Sequence, residues 1–110
     1  MTDQTKRIAE LNDRCRKAMG IAGRLLQTRG ISALPPSVQA AIRKKVETFD
    51  DFTADSDPYG ERDFGAFDHD GQRICWKIDY YAPDLRHGSE DPTDPKVTVR
   101  VLTIMLAEEN

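Results

Sequence analysis

The sequence predicts an α+β fold in which two amphipathic helices pack on a mostly antiparallel sheet of about four strands, with residues 1–110 forming a single globular domain. Three observations predict it. Apolar residues recur at three- and four-residue spacing early in the chain and on every second position later, so helices and strands are segregated rather than interleaved. The dipeptide Asp70-Gly71 stands before a run of alternating apolar and polar residues, the signature of a tight hairpin turn. Charged residues make up 32% of the chain, yet the apolar ones fall in short periodic runs, which a disordered chain lacks.

The first helix is expected from a cap at Asp3 or Thr5, with Ile8, Leu11, Cys15, Ala18, Met19 and Ala22 as one apolar stripe and Gly20 and Gly23 at its end. Residues 24–28 then read as a short strand carrying Leu25 and Leu26, closed by Gly30. Leu34-Pro35-Pro36-Ser37 is a helix entry, because proline is accepted in the first turn where backbone N–H groups have no helical partner. Val38, Ala41, Ile42, Val46 and Phe49 mark the second helix.

The stretch 57–81 organises the rest. It contains the sole Trp, all three Tyr and half of the four Phe. A two-residue turn at Asp70-Gly71 pairs His69 with Gln72, Phe67 with Ile74, Gly65 with Trp76 and Asp63 with Ile78, which sets the indole over a residue without a side chain; a four-residue turn over 68–71 is the alternative and leaves the faces of the second strand unchanged. Ile74, Trp76, Ile78 and Tyr80 share one face. Cys75, Lys77, Asp79 and Tyr81 share the other, with Phe64 and Ala66. Residues 82–96, with three prolines and a glycine, form a long surface loop. Residues 97–106 hold six β-branched residues in ten and read as a central strand covered on both faces, although periodicity alone also admits a helix.

Charge is divided along the chain. Residues 1–46 carry ten Lys/Arg against three Asp/Glu, and residues 47–110 carry six against sixteen, so +7 and −10 combine to the net −3. Such asymmetry hints at a charged partner, or at two halves that neutralise each other in the fold. Arg43-Lys44-Lys45 is the sole basic triplet. Eight of the acids lie between residues 50 and 70, against one Arg. A calcium loop does not fit them: aligning Gly60 to the EF-hand glycine puts Ala66 where a bidentate Glu belongs, and aligning Gly71 puts Lys77 there. A looser hard-cation site from Asp55, Asp57, Glu61 or Asp63 is the remaining metal reading, and neither a metal nor a cofactor is assigned.

There is no Gly-rich phosphate loop, CxxC pair, HExxH or GxSxG, and His69 and His87 both fall in turns. Cys15 and Cys75, on a helix and a strand, read as buried small hydrophobes rather than a disulfide. No apolar run approaches the roughly 18 residues of a membrane span, and MTDQTKR lacks the core of a signal peptide. The expectation is a cytoplasmic protein without membrane contact.

The segments 57–60 (DPYG), 63–67 (DFGAF), 76–81 (WKIDYY) and 101–109 (VLTIMLAEE) resemble the signature segments of an uncharacterised bacterial family known as a domain of unknown function, DUF3768, with the likeness running from about Leu11. The chain departs from the family pattern in ending on Asn110 instead of an aromatic. The family has no assigned activity, so the resemblance implies no catalytic residue. It implies a setting, on plasmids and other mobile elements of proteobacteria, beside antirestriction-type genes.

The leading expectation is a small binding protein of mobile-element origin that contacts a host or element protein. Its sharper form is an anti-defence inhibitor whose carboxylates imitate phosphates in the basic groove of a nucleic-acid-binding enzyme. The candidate binding residues are Asp51, Asp55, Asp57, Tyr59, Glu61, Asp63, Lys77, Asp79 and Tyr81, none of them assigned as catalytic. A metal-assisted hydrolase using the carboxylates of 57–79 with Lys77 is the alternative, and it requires them to converge in one pocket. Direct nucleic-acid binding through Arg14, Lys17, Arg43, Lys44 and Lys45 is third, because the net charge opposes it. The oligomeric state is left open by the sequence.

Overall fold

The computed structural model describes residues 2–110. Three α-helices, α1 (Asp3–Lys17), α2 (Arg29–Ser32) and α3 (Pro36–Glu47), accompany four strands, β1 (Arg24–Gln27), β2 (Phe64–His69), β3 (Gln72–Tyr81) and β4 (Val99–Leu106), and the chain closes on a 3₁₀ turn at Ala107–Glu109. The sheet order is β1-β4-β3-β2. β2, β3 and β4 pair antiparallel, and β1 joins parallel to β4. The α+β class and the mostly antiparallel sheet are therefore as expected.

The hairpin register is the expected one, with His69 opposite Gln72, Phe67 opposite Ile74 and Gly65 opposite Trp76. Asp70 and Gly71 both take positive φ, at 50° and 79°, as a type I′ turn requires. Ile78 donates its N–H to the Asp63 carbonyl at 2.8 Å, which extends the pairing one step beyond β2. Residues 99–106 form a strand, not a helix, and it is central: Val101, Leu102, Ile104 and Met105 are all buried.

One cluster forms the core. Ile74, Trp76, Ile78, Leu102 and Ile104 from one sheet face meet Cys15, Ile31, Ile42 and Val46, so all three helices lie against that face. Both cysteines are buried and free, as their settings predicted. On the opposite face Lys77 and Asp79 keep 43% and 42% of their side chains in solvent.

Two expectations need correction. Among the described residues the α-helices number three, because α2 closes a single turn from Thr28, with Ser32 N–H on the Thr28 carbonyl and Ala33 N–H on that of Arg29. A four-residue helix is too short for any periodicity to reveal, but it carries Ile31 into the core at 0% exposure. The first helix stops at Lys17, before Ala18, Met19 and Ala22 can extend its stripe. Its buried face is instead Ala9, Leu11 and Cys15 together with two polar residues, Asn12 and Arg16. Among the described residues no helix is long and apolar enough to cross a membrane.

Candidate functional site

Residues 48–63 connect α3 to β2 without regular structure, apart from isolated turns, and carry most of the acidic run. Such a loop needs anchors, and aromatic rings and arginines supply them. The Phe52 ring meets Phe49 edge-on at 5.0 Å and Trp76 at 6.1 Å. The guanidiniums of Arg16 and Arg62 lie 5.3 and 5.1 Å from the same ring. Asp13 joins the two cations, accepting from Arg16 at 2.7 Å and from Arg62 at 3.1 Å. Arg62 itself stands at φ 57°, a left-handed conformation stabilised by the Asp57 carboxylate, which accepts its backbone N–H at 3.2 Å.

The end of the loop is tied to the sheet by a second set of bonds. Asn12 Nδ2 donates to the Glu61 carbonyl and to the Tyr80 hydroxyl, and that hydroxyl donates to the Glu61 carboxylate at 2.8 Å. Burial and the Glu61 bond together push the Tyr80 phenol far above its ordinary range, so it stays a donor at any physiological pH.

These anchors gather part of the expected set. Burial first, and then the charges of Glu61, Asp57 and Asp79, hold the Asp63 carboxyl above the usual carboxylate range against its own backbone hydrogen bond. Asp57, Glu61 and Asp63 from the loop end thus lie on one shoulder of the molecule, and Asp79 on β3 is near enough for its charge to act on Asp63. Lys77 joins them through Asp79 at 3.5 Å, a pairing along one strand rather than across two. Tyr59 stands 80% exposed on the same loop, and Tyr81 is half-buried on the open sheet face. Asp51 and Asp55 are exposed, and neither is among the charges that act on Asp63. Asp51 lines a shallow cleft with Lys45, Asp68 and Arg73 instead.

The shoulder has no metal-site geometry: among the described residues no three His, Cys, Asp or Glu side chains are placed to share an ion. Glu61 turns inward to Tyr80, while Asp79 and Lys77 lie on the other sheet face. The convergence that metal-assisted hydrolysis needs is therefore missing from the arrangement of Asp57, Glu61, Asp63, Lys77 and Asp79. What the shoulder can do is present fixed negative charge beside an exposed aromatic ring.

The raised Asp63 carboxyl has a pH consequence. Its charged form is disfavoured in the fold, so stability falls as pH rises from the ordinary carboxylate range through the higher folded value, and stays lower above it. Asp63→Asn is expected to stabilise the protein at about pH 7 by less than about 1 kcal/mol, because the site is half open to solvent. The gain should shrink to nothing at about pH 3. Thermal denaturation at the two pH values checks this, and an equal gain at both would assign the effect to something other than charge.

The basic residues take other places. Lys17, Arg43 and Lys44 line one cleft between α1 and α3, together with Glu47. Lys45 points away from it, toward the Asp68 carbonyl and the Phe67 ring. Arg14 lines a different cleft with Arg24 and Arg100. The five cations named from the sequence are thus split among three places. Asn12, Arg16, Arg62 and Arg100, which organise the interior of this end of the molecule, were not among the expected residues.

A family model described as "Protein of unknown function (DUF3768)" matches residues 27–109. The match starts at the end of β1, later than the resemblance from Leu11 implied, so α1 and its Asn12, Asp13 and Arg16 lie outside it. No curated protein and no solved structure matches the chain.

Proposed function

We propose that this chain, which belongs to the DUF3768 family, is a binding protein that docks its acidic shoulder on a cationic surface of a partner protein. The observation that carries this reading is the pinned loop: Phe52, Asp13 and Arg62 hold the segment bearing Asp57, Glu61 and Asp63 against the fold, with the Asp79 charge near enough to act on Asp63, so these acids are not left on a mobile tail. Fixed charge loses little conformational freedom on association, so preorganisation is converted into affinity. Tyr59, large and 80% exposed beside the carboxylates, fits the aromatic anchor that such interfaces use.

In its sharper form the partner is a nucleic-acid-binding enzyme of host defence, met by a protein of mobile-element origin in the bacterial cytoplasm. The carboxylates then occupy positions that phosphates would take. This form adds a requirement, since duplex DNA must compete for the same groove.

The test starts from a tagged full-length chain, captured with host lysate at low and high salt, and then uses the purified captured protein in a binding titration. Expected is a dissociation constant that weakens at least about tenfold between low and high salt, and again in the double variant Asp63→Asn/Asp79→Asn. Tyr59→Ala is expected to weaken it further. Duplex DNA should displace the chain. A partner whose affinity ignores both ionic strength and the two substitutions would overturn the proposal; salt-sensitive binding that DNA leaves intact would overturn the sharper form alone.

A further inference from the structure

A cleft of about 460 Å³ opens between the second half of α1, the turn before β1 and the start of β4. Its lining includes Arg14, Arg24 and Arg100, beside the apolar wall of Leu11, Ile21 and Val99, and contains no Asp or Glu. Among the described residues no carboxylate comes within ion-pair distance of any of these three arginines, whereas Arg7, Arg16, Arg62 and Arg73 all have one.

Arg100 makes this unusual. It is 5% exposed, and a cation taken out of water costs several kcal/mol unless something of opposite charge returns the loss. Its partners are neutral: Nε donates to Asn12 Oδ1 at 2.7 Å, Nη2 donates to the Pro92 carbonyl at 2.6 Å, and the guanidinium lies 5.0 Å from the Tyr80 ring. Among the described residues its Nη1 has no protein acceptor, and it is not sealed among the fully buried unsatisfied atoms. Burial first, helped by the like charge of Arg7, outweighs the favourable influence of the Glu61 carboxylate and disfavours its charged form. Three guanidiniums therefore border one concave space that no carboxylate lines, and among the described residues none of the three has a carboxylate within ion-pair distance.

We propose that this cleft binds a small phosphorylated ligand of nucleotide size, with Arg14, Arg24 and Arg100 supplying the counter-charge. Phosphate is the chemistry the site fits best. Guanidinium forks pair with phosphate oxygens in bidentate fashion, and one phosphate or diphosphate can take donors from several forks at once. The volume falls within the range of small-molecule sites, and the wall of Leu11, Ile21 and Val99 provides apolar surface for the organic part. Ile21, 89% exposed at the rim, is a large apolar side chain with no packing role in the free protein. A nucleic-acid strand would present the same phosphates, but the net charge of −3 and the acidic second half of the chain repel a long polyanion. Arg100 shares Asn12 and Tyr80 with the anchors of the acidic shoulder, whereas Arg14 and Arg24 take no part in that network.

The experiment titrates the full chain separately with pyrophosphate, with ATP in the absence of divalent metal, and with a single-stranded oligonucleotide, following backbone amides by NMR and heat by calorimetry. Expected are saturable shifts at Gly23, Arg24, Thr98 and Val99 with pyrophosphate and ATP, tighter binding of ATP, and a ligand-dependent rise in Tm. The double variant Arg14→Gln/Arg24→Gln changes two exposed side chains and should keep the free protein's Tm while losing at least tenfold in ATP affinity. Unsaturable shifts, or shifts centred elsewhere, would overturn the proposal, as would undiminished binding by the variant. Tighter binding of the oligonucleotide than of ATP, lost in the same variant, would overturn the small-ligand assignment in favour of nucleic acid. Because partner capture by the shoulder does not involve Arg14 or Arg24, its failure leaves this result untouched, and the reverse holds as well.

Discussion

Gly65→Ala is expected to destabilise the protein by about 3 kcal/mol, the largest penalty for adding one methyl group anywhere in the hairpin. In a strand interior the exchange ordinarily gains stability, since glycine loses more backbone entropy on folding. Here the added Cβ would lie 2.5 Å from Trp76 Nε1, 2.7 Å from Cε2 and 2.8 Å from Cζ2. Nothing at that point can give way. The indole is rigid, 0% exposed, and held edge-on by Phe49 at 5.6 Å and Phe52 at 6.1 Å. Moving it means moving the ring that anchors the acidic loop. Thermal or denaturant unfolding of the single variant should show a Tm lower by more than about 10 °C. Trp76→Phe costs stability by itself, but the double variant Gly65→Ala/Trp76→Phe should be more stable than the two single losses predict, because the smaller ring vacates the space the methyl needs. Strict additivity would show that the clash is not the cause.

That hairpin was also the most legible part of the chain. Asp70-Gly71 sets the turn, the turn sets the register, and the register puts the one Trp over a glycine, so each step follows from a backbone preference that a single residue type satisfies. β4 was legible for a related reason, since β-branched residues on both alternations suit a strand buried on two faces. α2 was not, being a single turn. The parallel pairing of β1 with β4 was equally hidden, because pairing direction is decided by the path of the chain between strands and not by the residues in them.

The site was legible in its acids and not in what holds them. Eight carboxylates in residues 50–70 are visible in any charge count. Their division into a gathered group and the detached Asp51 and Asp55 depends on Asp13, Asn12 and Arg16, contributed by a helix far away in sequence. Asn12 and Arg16 are one turn apart and adjacent to Leu11 and Cys15, so they widen the buried face instead of interrupting it. A search for an apolar stripe assigns such residues to solvent. Arg100 did leave a signal: it occupies a core-facing position of a central strand, where a charged residue is rarely placed without a partner.

Arg16→Met is expected to cost about 3–5 kcal/mol and to loosen the acidic loop selectively. The wild-type side chain is 2% exposed and its Nη1 donates to the carbonyl of Val46, in the last turn of α3, and to that of Phe49, just past it, at 2.9 and 2.8 Å. Its Nη2 pairs with Asp13, and its guanidinium lies 4.9 Å from the Trp76 ring. Methionine fills most of the volume and keeps the aromatic contact, so the loss isolates the stranded Phe49 carbonyl, the Val46 carbonyl left with the Phe49 N–H alone, and the uncovered side of Asp13. Asp13 retains Arg62, which limits the damage. Arg16→Lys keeps the charge but has no fork to reach both carbonyls and the carboxylate together, and should fall between the two. Native-state hydrogen exchange gives the discriminating readout: amides of residues 52–63 should lose protection in Arg16→Met beyond the global loss, while those of β3 and β4 track global stability. If all amides shift equally, the guanidinium supports the core as a whole and the loop has no special dependence on it. If stability is unchanged, a buried cation at this place is no better than an apolar side chain, and the preorganisation of the acidic shoulder must come from Phe52 and Arg62 alone.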